Sequence, residues 1–187
     1  MQTFGFPVGP VTLFDEVGID VGCHVAADLG QRLPRLSQGD VATGVAAMNE
    51  MMEKGWVGRK SQAGLYTYSG KKKSINEDAI ALFKRHGAAI QRTTEDADLP
   101  LRMACRMANE AVMCLQEGVL AKASDGDVGA VFGLGFPPAK GGPFRWLDTY
   151  GAQNVVDHLD RFRETFGEQF TVCDLLRENA KSEKKFY

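Results

Sequence analysis

Two cations in a glycine-rich loop, Arg59 and Lys60, are the side chains of this sequence best placed to bind an anion. They lie within residues 55–64, and guanidinium and ammonium groups on such a loop can bind the phosphates of a nucleotide-like carrier. The P-loop spacing Gly-x-x-x-x-Gly-Lys-Ser/Thr is absent, and no predicted strand precedes the loop. Two interpretations stay open, an anion-binding loop and a structural turn between two repeats, and the turn is the simpler one.

The histidines do not form a catalytic arrangement in the sequence. His24, His86 and His158 each lie within a helical pattern, with His24 and Asp28 one turn apart. A histidine that acts as a general base needs a partner that orients its imidazole. We therefore predict no catalytic residue in this chain.

Metal sites and disulfides are not predicted either. Asp125 and Asp127 lack the further oxygen ligands of a calcium loop, and we expect them to cap a helix together with Ser124. No other group of side chains has the spacing of a metal site. The cysteines show no Cys-x-x-Cys spacing and are predicted to be reduced core thiols: Cys23, Cys105, Cys114 and Cys173.

An internal duplication organises the chain. Residues 4–10 read Phe-Gly-Phe-Pro-Val-Gly-Pro and are followed by Asp15 and Gly18, and residues 134–137 read Leu-Gly-Phe-Pro and are followed by Gly-Pro, Asp148 and Gly151. The spacing from Gly-Pro to Asp to Gly is the same in both copies. We expect the two aspartates to occupy the same local structure and to cap or anchor a neighbouring helix. Because almost nothing precedes the first copy, we also expect the chain to be a fragment that begins within its first repeat.

Nearly every segment carries helical periodicity between capping residues, so the sequence predicts an all-α fold. The predicted helices cover approximately residues 20–30, 40–55, 74–87, 100–118, 124–132, 155–166 and 171 onward, with the capping residues included. Asp20, Asp40 and a capping box at Ser74 are the predicted starts of the first three. A short extended segment at 65–68 interrupts the pattern. We divide the chain into two duplicated helical domains, 1–88 and 89–187, of which the first is truncated at its N-terminus.

Composition excludes some partners. The net charge of −2 gives no electrostatic reason to expect binding to nucleic acid or to an anionic membrane. No run of about 18 apolar residues is present, and the N-terminus has no secretory or cleavable targeting pattern.

Several motifs resemble the C-terminal helical domain of L-3-hydroxyacyl-CoA dehydrogenases. They are the repeat at 4–20, Gly-Arg-Lys-Ser at 58–61 and Gly-Leu-Tyr-Thr-Tyr at 64–68. A second such domain is similar to the duplicated extension of multifunctional fatty-acid β-oxidation enzymes. The segments 109–118, 132–138 and 141–145 look most like the mitochondrial trifunctional enzyme α-subunit family.

The resemblance implies a part of an enzyme that is inactive by itself. In this family NAD and the catalytic His and Glu belong to a Rossmann domain, and this chain has neither a Gly-x-Gly-x-x-Gly turn nor βαβ alternation. The resemblance implies that the helical domain contributes a wall of the substrate cleft and dimer contacts. The candidate substrate-pocket residues form an apolar loop before a helix, and they are Phe6, Pro7, Val8, Pro10 and Leu13. In this setting Arg59 and Lys60 could contact a phosphate of CoA.

Further expectations follow from the resemblance. The partners would be Rossmann and enoyl-CoA hydratase domains, a second copy of the chain and a thiolase β-subunit, and the location would be mitochondrial. Phe6, Val8 and Leu13 should be exposed, whereas Phe136 and Phe144 should be covered. Two alternatives stay open: a non-catalytic helical interaction module, and the substrate domain of another β-hydroxyacid dehydrogenase.

Arg145 is the one charged residue within the apolar motif of the second repeat, at 141–145. It could bind a CoA phosphate or bridge to a hydratase domain. The simpler interpretation is an ion pair with Asp148 or a cap on the carbonyls of a neighbouring helix.

Overall fold

The computed structural model describes residues 1–33, 41–87 and 98–187, which form a mostly helical fold. These ranges contain nine α-helices: α1 (Pro10–Val17), α2 (Ile19–Arg32), α3 (Val41–Glu53), α4 (Glu77–Arg85), α5 (Asp98–Gln116), α6 (Ala123–Leu134), α7 (Pro143–Tyr150), α8 (Ala152–Phe166) and α9 (Asp174–Ser182). The predicted all-α class with one short extended segment is confirmed. Within the described ranges, none of the helices has the length and apolar character needed to cross a bilayer.

The contacts divide the chain into two units, of which Val8–Arg92 is the first. This unit contains α1 to α4 and an antiparallel hairpin, in which β1 (Tyr66–Ser69) pairs with β2 (Lys72–Ile75). Its small core is formed by Ile19, Ala47, Met51, Ala79 and Leu82. The hairpin brings the chain back over α1, where the candidate site lies.

The second unit contains Thr93–Tyr187 together with Met1–Pro7. Its core is larger and rich in aromatic rings, with Phe136, Phe144 and Phe162 almost entirely buried. The first residues of the chain belong to this core, because the Phe4 ring lies 5.3 Å from the Trp146 ring. The predicted first domain, 1–88, includes residues 1–7, which the contacts place in the second unit. The division between residues 88 and 89 stays a prediction for the boundary between the two repeats.

A helix–glycine–helix corner occurs once in each unit. α1 and α7 are both eight-residue helices that begin with proline, and each carries its aspartate at the sixth position. Gly18 follows α1 with φ 106° and ψ 131°, and Gly151 follows α7 with φ 101° and ψ 120°. Residues with a Cβ rarely adopt these backbone angles, so the backbone requires glycine at both positions. The next helix begins directly after it in both units.

Some predicted helix starts are wrong. α4 is capped by Asn76, whose side chain accepts a hydrogen bond from the backbone of Ala79, and not by Ser74. α6 begins at Ala123 without a side-chain cap, so the predicted cap by Ser124 and Asp127 does not form there. Local sequence shows which residue types can cap a helix, but it does not show which of them the tertiary structure engages elsewhere.

The apolar stripe of α2 faces solvent. Val21, Val25 and Leu29 have the spacing of one helical face, and each is exposed. α2 begins at Ile19, one residue before the predicted cap at Asp20. The other predicted cap, Asp40, lies outside the described residues.

Candidate functional site

An apolar cleft of about 200 Å³ opens on the Val8–Arg92 unit. None of its lining residues carries a charge, and they come from α1 to α4 and the segment before β1: Pro10, Val11, Phe14, Ile19, Met48, Leu65 and Phe83. Such walls suit an aliphatic chain. Complete ligand sites measure roughly 300–1,000 Å³, so this cleft has the size of one part of a larger site.

The cleft depends on the close packing of α1 against α2. Pro10 at the first position of α1 follows Gly9, which acts as the N-cap. One turn later, the Phe14 ring lies against the backbone of Gly22, where an added Cβ would be only 2.5 Å from a ring carbon. Glycine at this position therefore allows the two helices to bring Phe14 and the fully buried Ile19 together.

Asp15 fixes the other wall of the cleft. Its buried carboxylate accepts hydrogen bonds of 2.8 Å each from the backbone amides of Leu65 and Tyr66 and from the hydroxyl of Tyr68. Leu65 lines the cleft, and Phe14 precedes Asp15 on α1. The three bonds satisfy a charge that would otherwise be costly to bury, and they hold Leu65 opposite α1.

The glycine-rich loop packs directly on Asp15. A Cβ on Gly58 would lie 2.3 Å from the Asp15 carbonyl oxygen, and a Cβ on Gly64 would lie 2.4 Å from its carboxylate. Gly58 also has φ 107°, which disfavours any side chain. The glycines therefore serve close backbone packing, which supports the interpretation of this loop as a structural turn.

Both cations of the loop already have carboxylate partners. Arg59 lies 2.5 Å from Glu16 of α1, and Lys60 lies 2.6 Å from Asp20 of α2. The hydrogen bond from Lys60 lowers the pKa of the Asp20 carboxyl below its ordinary value, against a smaller opposing effect of desolvation. These pairs are exposed, so a phosphate could reach the cations, but it would have to displace Glu16 or Asp20. Contact with a CoA phosphate stays a prediction.

The five predicted pocket residues are not brought together. Pro10 lines the cleft, whereas Val8 and Leu13 are 39% and 49% exposed. Pro7 is exposed as well, and Phe6 packs 5.6 Å from the Phe136 ring in the second unit. The expected exposure of Phe6 is therefore wrong, because the half-buried ring belongs to the aromatic core of that unit. Contact of this set with substrate stays a prediction.

Of the residues that line the cleft, only Pro10 was predicted from the sequence. Val11 and Phe14 lie one turn apart on α1, next to the predicted Pro10 and Leu13, so helical spacing could have indicated them. Met48, Leu65 and Phe83 come from three distant segments, and no local pattern links them.

The corresponding place in the second unit is lined by charged side chains. A cleft of about 200 Å³ contains Leu147 and Ala152, which occupy the repeat positions of Phe14 and Ile19. Gly151 and Ala180 also line it, together with six charged or polar residues: Asp148, Gln153, Asn179, Glu183, Lys184 and Lys185. Charged side chains thus line the second of these two clefts and not the first.

The histidines lie outside the apolar cleft. His86 lies 2.8 Å from Glu50, and hydrogen bonds from His86 and Arg85 lower the pKa of Glu50. His158 lies 2.9 Å from the Tyr150 hydroxyl, and burial lowers its pKa. Within the described residues, no group of three histidine, cysteine or acidic side chains could hold a metal ion.

Arg145, Asp148 and Asp127 of the second unit make contacts other than the predicted ones. Arg145 lies over the Tyr187 ring at 3.6 Å, and Asp148 accepts hydrogen bonds from the backbone of Phe186 and Tyr187. The predicted ion pair between Arg145 and Asp148 is therefore not formed. Asp127 accepts from the backbone of Phe144 and Arg145, so it caps α7 and not its own helix.

Comparison with protein families gives one match. A model described as "3-hydroxyacyl-CoA dehydrogenase, C-terminal domain" matches residues 1–68 and 101–186. The two matched ranges each contain one helix–glycine–helix corner.

Curated relatives extend this finding. The chain is 40% identical over 188 residues to the fatty acid oxidation complex subunit alpha of Vibrio vulnificus and 43% identical over 186 residues to that of Shewanella loihica. Each match covers 98% of this chain and 25% of the relative, so the chain spans about a quarter of the length of these proteins.

Solved structures share the fold. The crystal structure of 3-hydroxybutyryl-CoA dehydrogenase from Escherichia coli matches 96% of this chain and 52% of that chain, with a TM-score of 0.70 and 21% identity. The dehydrogenase part of multifunctional enzyme 1 from C. elegans matches 95% and 40%, with a TM-score of 0.61 and 18% identity.

These relatives correct one expectation and confirm another. The predicted mitochondrial location is wrong, because the similar alpha subunits come from the bacteria Vibrio and Shewanella, which have no mitochondria. The predicted resemblance to the dehydrogenase part of multifunctional fatty-acid oxidation enzymes is confirmed.

Proposed function

The chain belongs to the 3-hydroxyacyl-CoA dehydrogenase C-terminal domain family, and from this membership we propose that it supplies one wall of a substrate cleft in a fatty-acid β-oxidation enzyme. The observation that carries the proposal is the uncharged cleft between helices α1 to α4 and the segment before β1. In the parent enzyme this wall would contact the acyl chain of a 3-hydroxyacyl-CoA. Burial of each methylene against such a wall contributes about 0.8 kcal/mol.

The chemistry belongs to the parent protein in this proposal. NAD supplies hydride transfer when it is bound to a dehydrogenase of this kind. The described residues do not fit that cofactor, because their sheet is a two-stranded antiparallel hairpin and not the parallel sheet of a dinucleotide-binding fold. We therefore assign binding and positioning to this chain and no catalytic step.

The contribution of each predicted residue differs within this proposal. Pro10 is supported as a wall residue by its place in the cleft. Val8 and Leu13 are supported by their exposure alone, so they would have to contact the ligand at the rim or another domain. For Arg59 and Lys60, exposure favours a CoA-phosphate contact, but their pairing with Glu16 and Asp20 opposes it.

An assembly role is the second candidate, and the exposed stripe on α2 favours it. Val21, Val25, Leu29 and Leu33 are all at least 40% exposed, and a row of apolar side chains at helical spacing is typical of a contact surface. We propose that this face packs against another part of the parent enzyme or a second copy of the chain. A hydratase domain and a thiolase subunit are further candidate partners.

Titration calorimetry with dodecanoyl-CoA tests the cleft. Val11 is 45% exposed and lines the cleft, so Val11→Glu should place a charge beside the ligand without disturbing the core. We expect this variant to weaken binding at least about tenfold, which corresponds to about 1.4 kcal/mol. Val17→Glu on the same helix is the matched control, because Val17 is 52% exposed but does not line the cleft.

Two further results decide between the candidates. Equal binding by both variants would contradict the cleft as the ligand site. If dodecanoyl-CoA does not bind and Val25→Glu converts an associated chain into a monomer, the assembly role replaces the cleft-wall role.

A further inference from the structure

The aspartate of each repeat holds a pair of consecutive backbone amides. Asp15 accepts from Leu65 at Oδ1 and from Tyr66 at Oδ2, each at 2.8 Å. Asp148 accepts from Phe186 at Oδ1, at 3.0 Å, and from Tyr187 at Oδ2, at 3.1 Å. Both carboxylates therefore bind a bulky apolar residue followed by tyrosine, in the same order.

A cation covers the tyrosine ring in both units. Lys73 Nζ lies 4.2 Å from the centre of the Tyr66 ring, and it also donates to the Thr12 hydroxyl. The Arg145 guanidinium lies 3.6 Å from the centre of the Tyr187 ring. Thr12 and Arg145 occupy the same position in α1 and α7, the third of each helix. The repeat thus preserves the cation above the ring, although different residues supply it.

Two further contacts complete the site in the second unit. The Tyr187 hydroxyl donates a 2.8 Å hydrogen bond to Asp127, the residue that also caps α7. The Phe186 ring packs 5.1 Å from the ring of Phe144, which is fully buried.

The two bound residue pairs differ in the secondary structure to which they belong. In the first unit the bound pair continues into β1 of the hairpin, whereas Phe186 and Tyr187 follow α9 through Glu183, which has φ 53°. No strand pairing is described for residues 183–187. Backbone hydrogen bonds join Glu183 and Lys184 to the end of α9, whereas Phe186 and Tyr187 are held by side chains of the second unit, those of Asp148, Asp127, Arg145 and Phe144.

We propose that Asp148, Asp127, Arg145 and Phe144 form a binding site for an extended peptide segment with a bulky apolar residue followed by tyrosine, which Phe186 and Tyr187 fill in this chain. The two carboxylates select the backbone and the hydroxyl, the guanidinium selects the aromatic ring, and Phe144 selects the apolar side chain. Occupancy covers Phe144 and closes the second unit.

Amide hydrogen exchange by NMR tests this site in the 187-residue chain. Hydrogen bonds to a charged acceptor are worth about 1.5–3 kcal/mol, so the Phe186 and Tyr187 amides should exchange at least about tenfold more slowly than in an unstructured peptide. Asp148→Asn should remove that protection and leave the Leu65 and Tyr66 amides unchanged. Asp15→Asn is the matched control. It should remove the protection of the Leu65 and Tyr66 amides and leave exchange at Phe186 and Tyr187 unchanged.

Peptide binding tests the specificity of the site. A chain shortened to end at Lys185 leaves the site unfilled. Acetyl-Lys-Lys-Phe-Tyr at millimolar concentration should shift the backbone amide signals of Phe144 and Arg145 in this shortened chain toward their positions in the 187-residue chain. The reversed peptide acetyl-Tyr-Phe-Lys-Lys should not.

Two results would overturn the proposal: random-coil exchange at Phe186 and Tyr187 in the 187-residue chain, or equal shifts with both peptides. If the shortened chain does not fold, the exchange pattern of Asp148→Asn and Asp15→Asn decides alone.

Discussion

The Tyr68 hydroxyl donates a 2.8 Å hydrogen bond to the carboxylate of Asp15, fifty-three positions earlier in the chain. Burial, followed by this hydrogen bond and the charge of Asp15, raises the pKa of the Tyr68 hydroxyl well above its ordinary value. The hydroxyl is therefore protonated and available as a donor at neutral pH. The bond joins the hairpin to α1, and with it the two sides of the apolar cleft.

Asp15→Asn should destabilise the first unit. Asparagine keeps one acceptor oxygen, but its amide group places a donor opposite another donor, so at least one charge-assisted bond is lost. We expect a loss of about 2–3 kcal/mol in the free energy of unfolding, measured by urea denaturation. Glu16→Gln is the control, because it removes an exposed ion pair worth at most about 1 kcal/mol. Equal effects of the two substitutions would contradict the role of Asp15.

Gly58→Ala should be more damaging than an ordinary glycine substitution. The new Cβ would meet the Asp15 carbonyl oxygen at 2.3 Å, at a residue with φ 107°. We expect a loss of about 2–4 kcal/mol, in the range seen for strain and overpacking. Gly129→Ala is the control, since Gly129 lies within α6 with open space at its Cβ, and it should stabilise by about 0.5–1 kcal/mol. A Gly58→Ala protein with an unchanged thermal midpoint would refute the close contact.

The ion pair of Asp98 with Arg161 should contribute to stability at neutral pH and lose that contribution in acid. The hydrogen bonds from Arg161 hold the pKa of Asp98 below its ordinary value of 3.8. The folded state therefore binds this proton less readily than the unfolded state, and the contribution is present above pH 3.8 and is lost as the pH falls through the lower folded-state pKa. Asp98→Asn should reduce the fall in thermal midpoint between pH 5 and pH 2.5. An identical fall in both proteins would exclude this pair as a cause.

The purified chain should not oxidise 3-hydroxyacyl-CoA with NAD. The described residues offer no dinucleotide-binding sheet, and their histidines lie outside the apolar cleft. Absorbance of NADH, followed with substrate and cofactor in excess, should stay at the level of a sample without protein. Turnover that follows the protein through purification would refute the division of labour that we propose.

The repeat could be predicted from sequence because it consists of local rules. Proline at a helix start and glycine at positive φ are dictated by backbone geometry, so Asp15 and Asp148 were correctly assigned to equivalent positions. Their role was predicted incorrectly, because they bind extended segments and not a neighbouring helix. Those bonds join residues 50 and 38 positions apart, and no periodicity shows which distant amide a carboxylate will meet.

The cleft and the exposed stripe on α2 could also be predicted only in part from helical spacing. The spacing of Val21, Val25 and Leu29 shows that they share a face of α2, but it does not show whether protein covers that face. Pro10 was predicted as a wall residue from its apolar loop, whereas Met48 and Phe83 reach the cleft only through the packing of α3 and α4. Helical period determines which residues share a face, and tertiary packing determines what the face meets.

The location of a bound acyl chain tests the central claim most directly. Dodecanoyl-CoA added to isotope-labelled chain should shift the NMR signals of Phe14, Leu65 and Phe83, which line the apolar cleft. The repeat counterparts in the cleft of the second unit that charged side chains line, Leu147 and Ala152, should not shift. Saturable shifts confined to the first group are the result that we predict. Shifts at Leu147 and Ala152, or saturable binding that leaves the first group unchanged, would contradict the claim that the first repeat provides the acyl-chain wall.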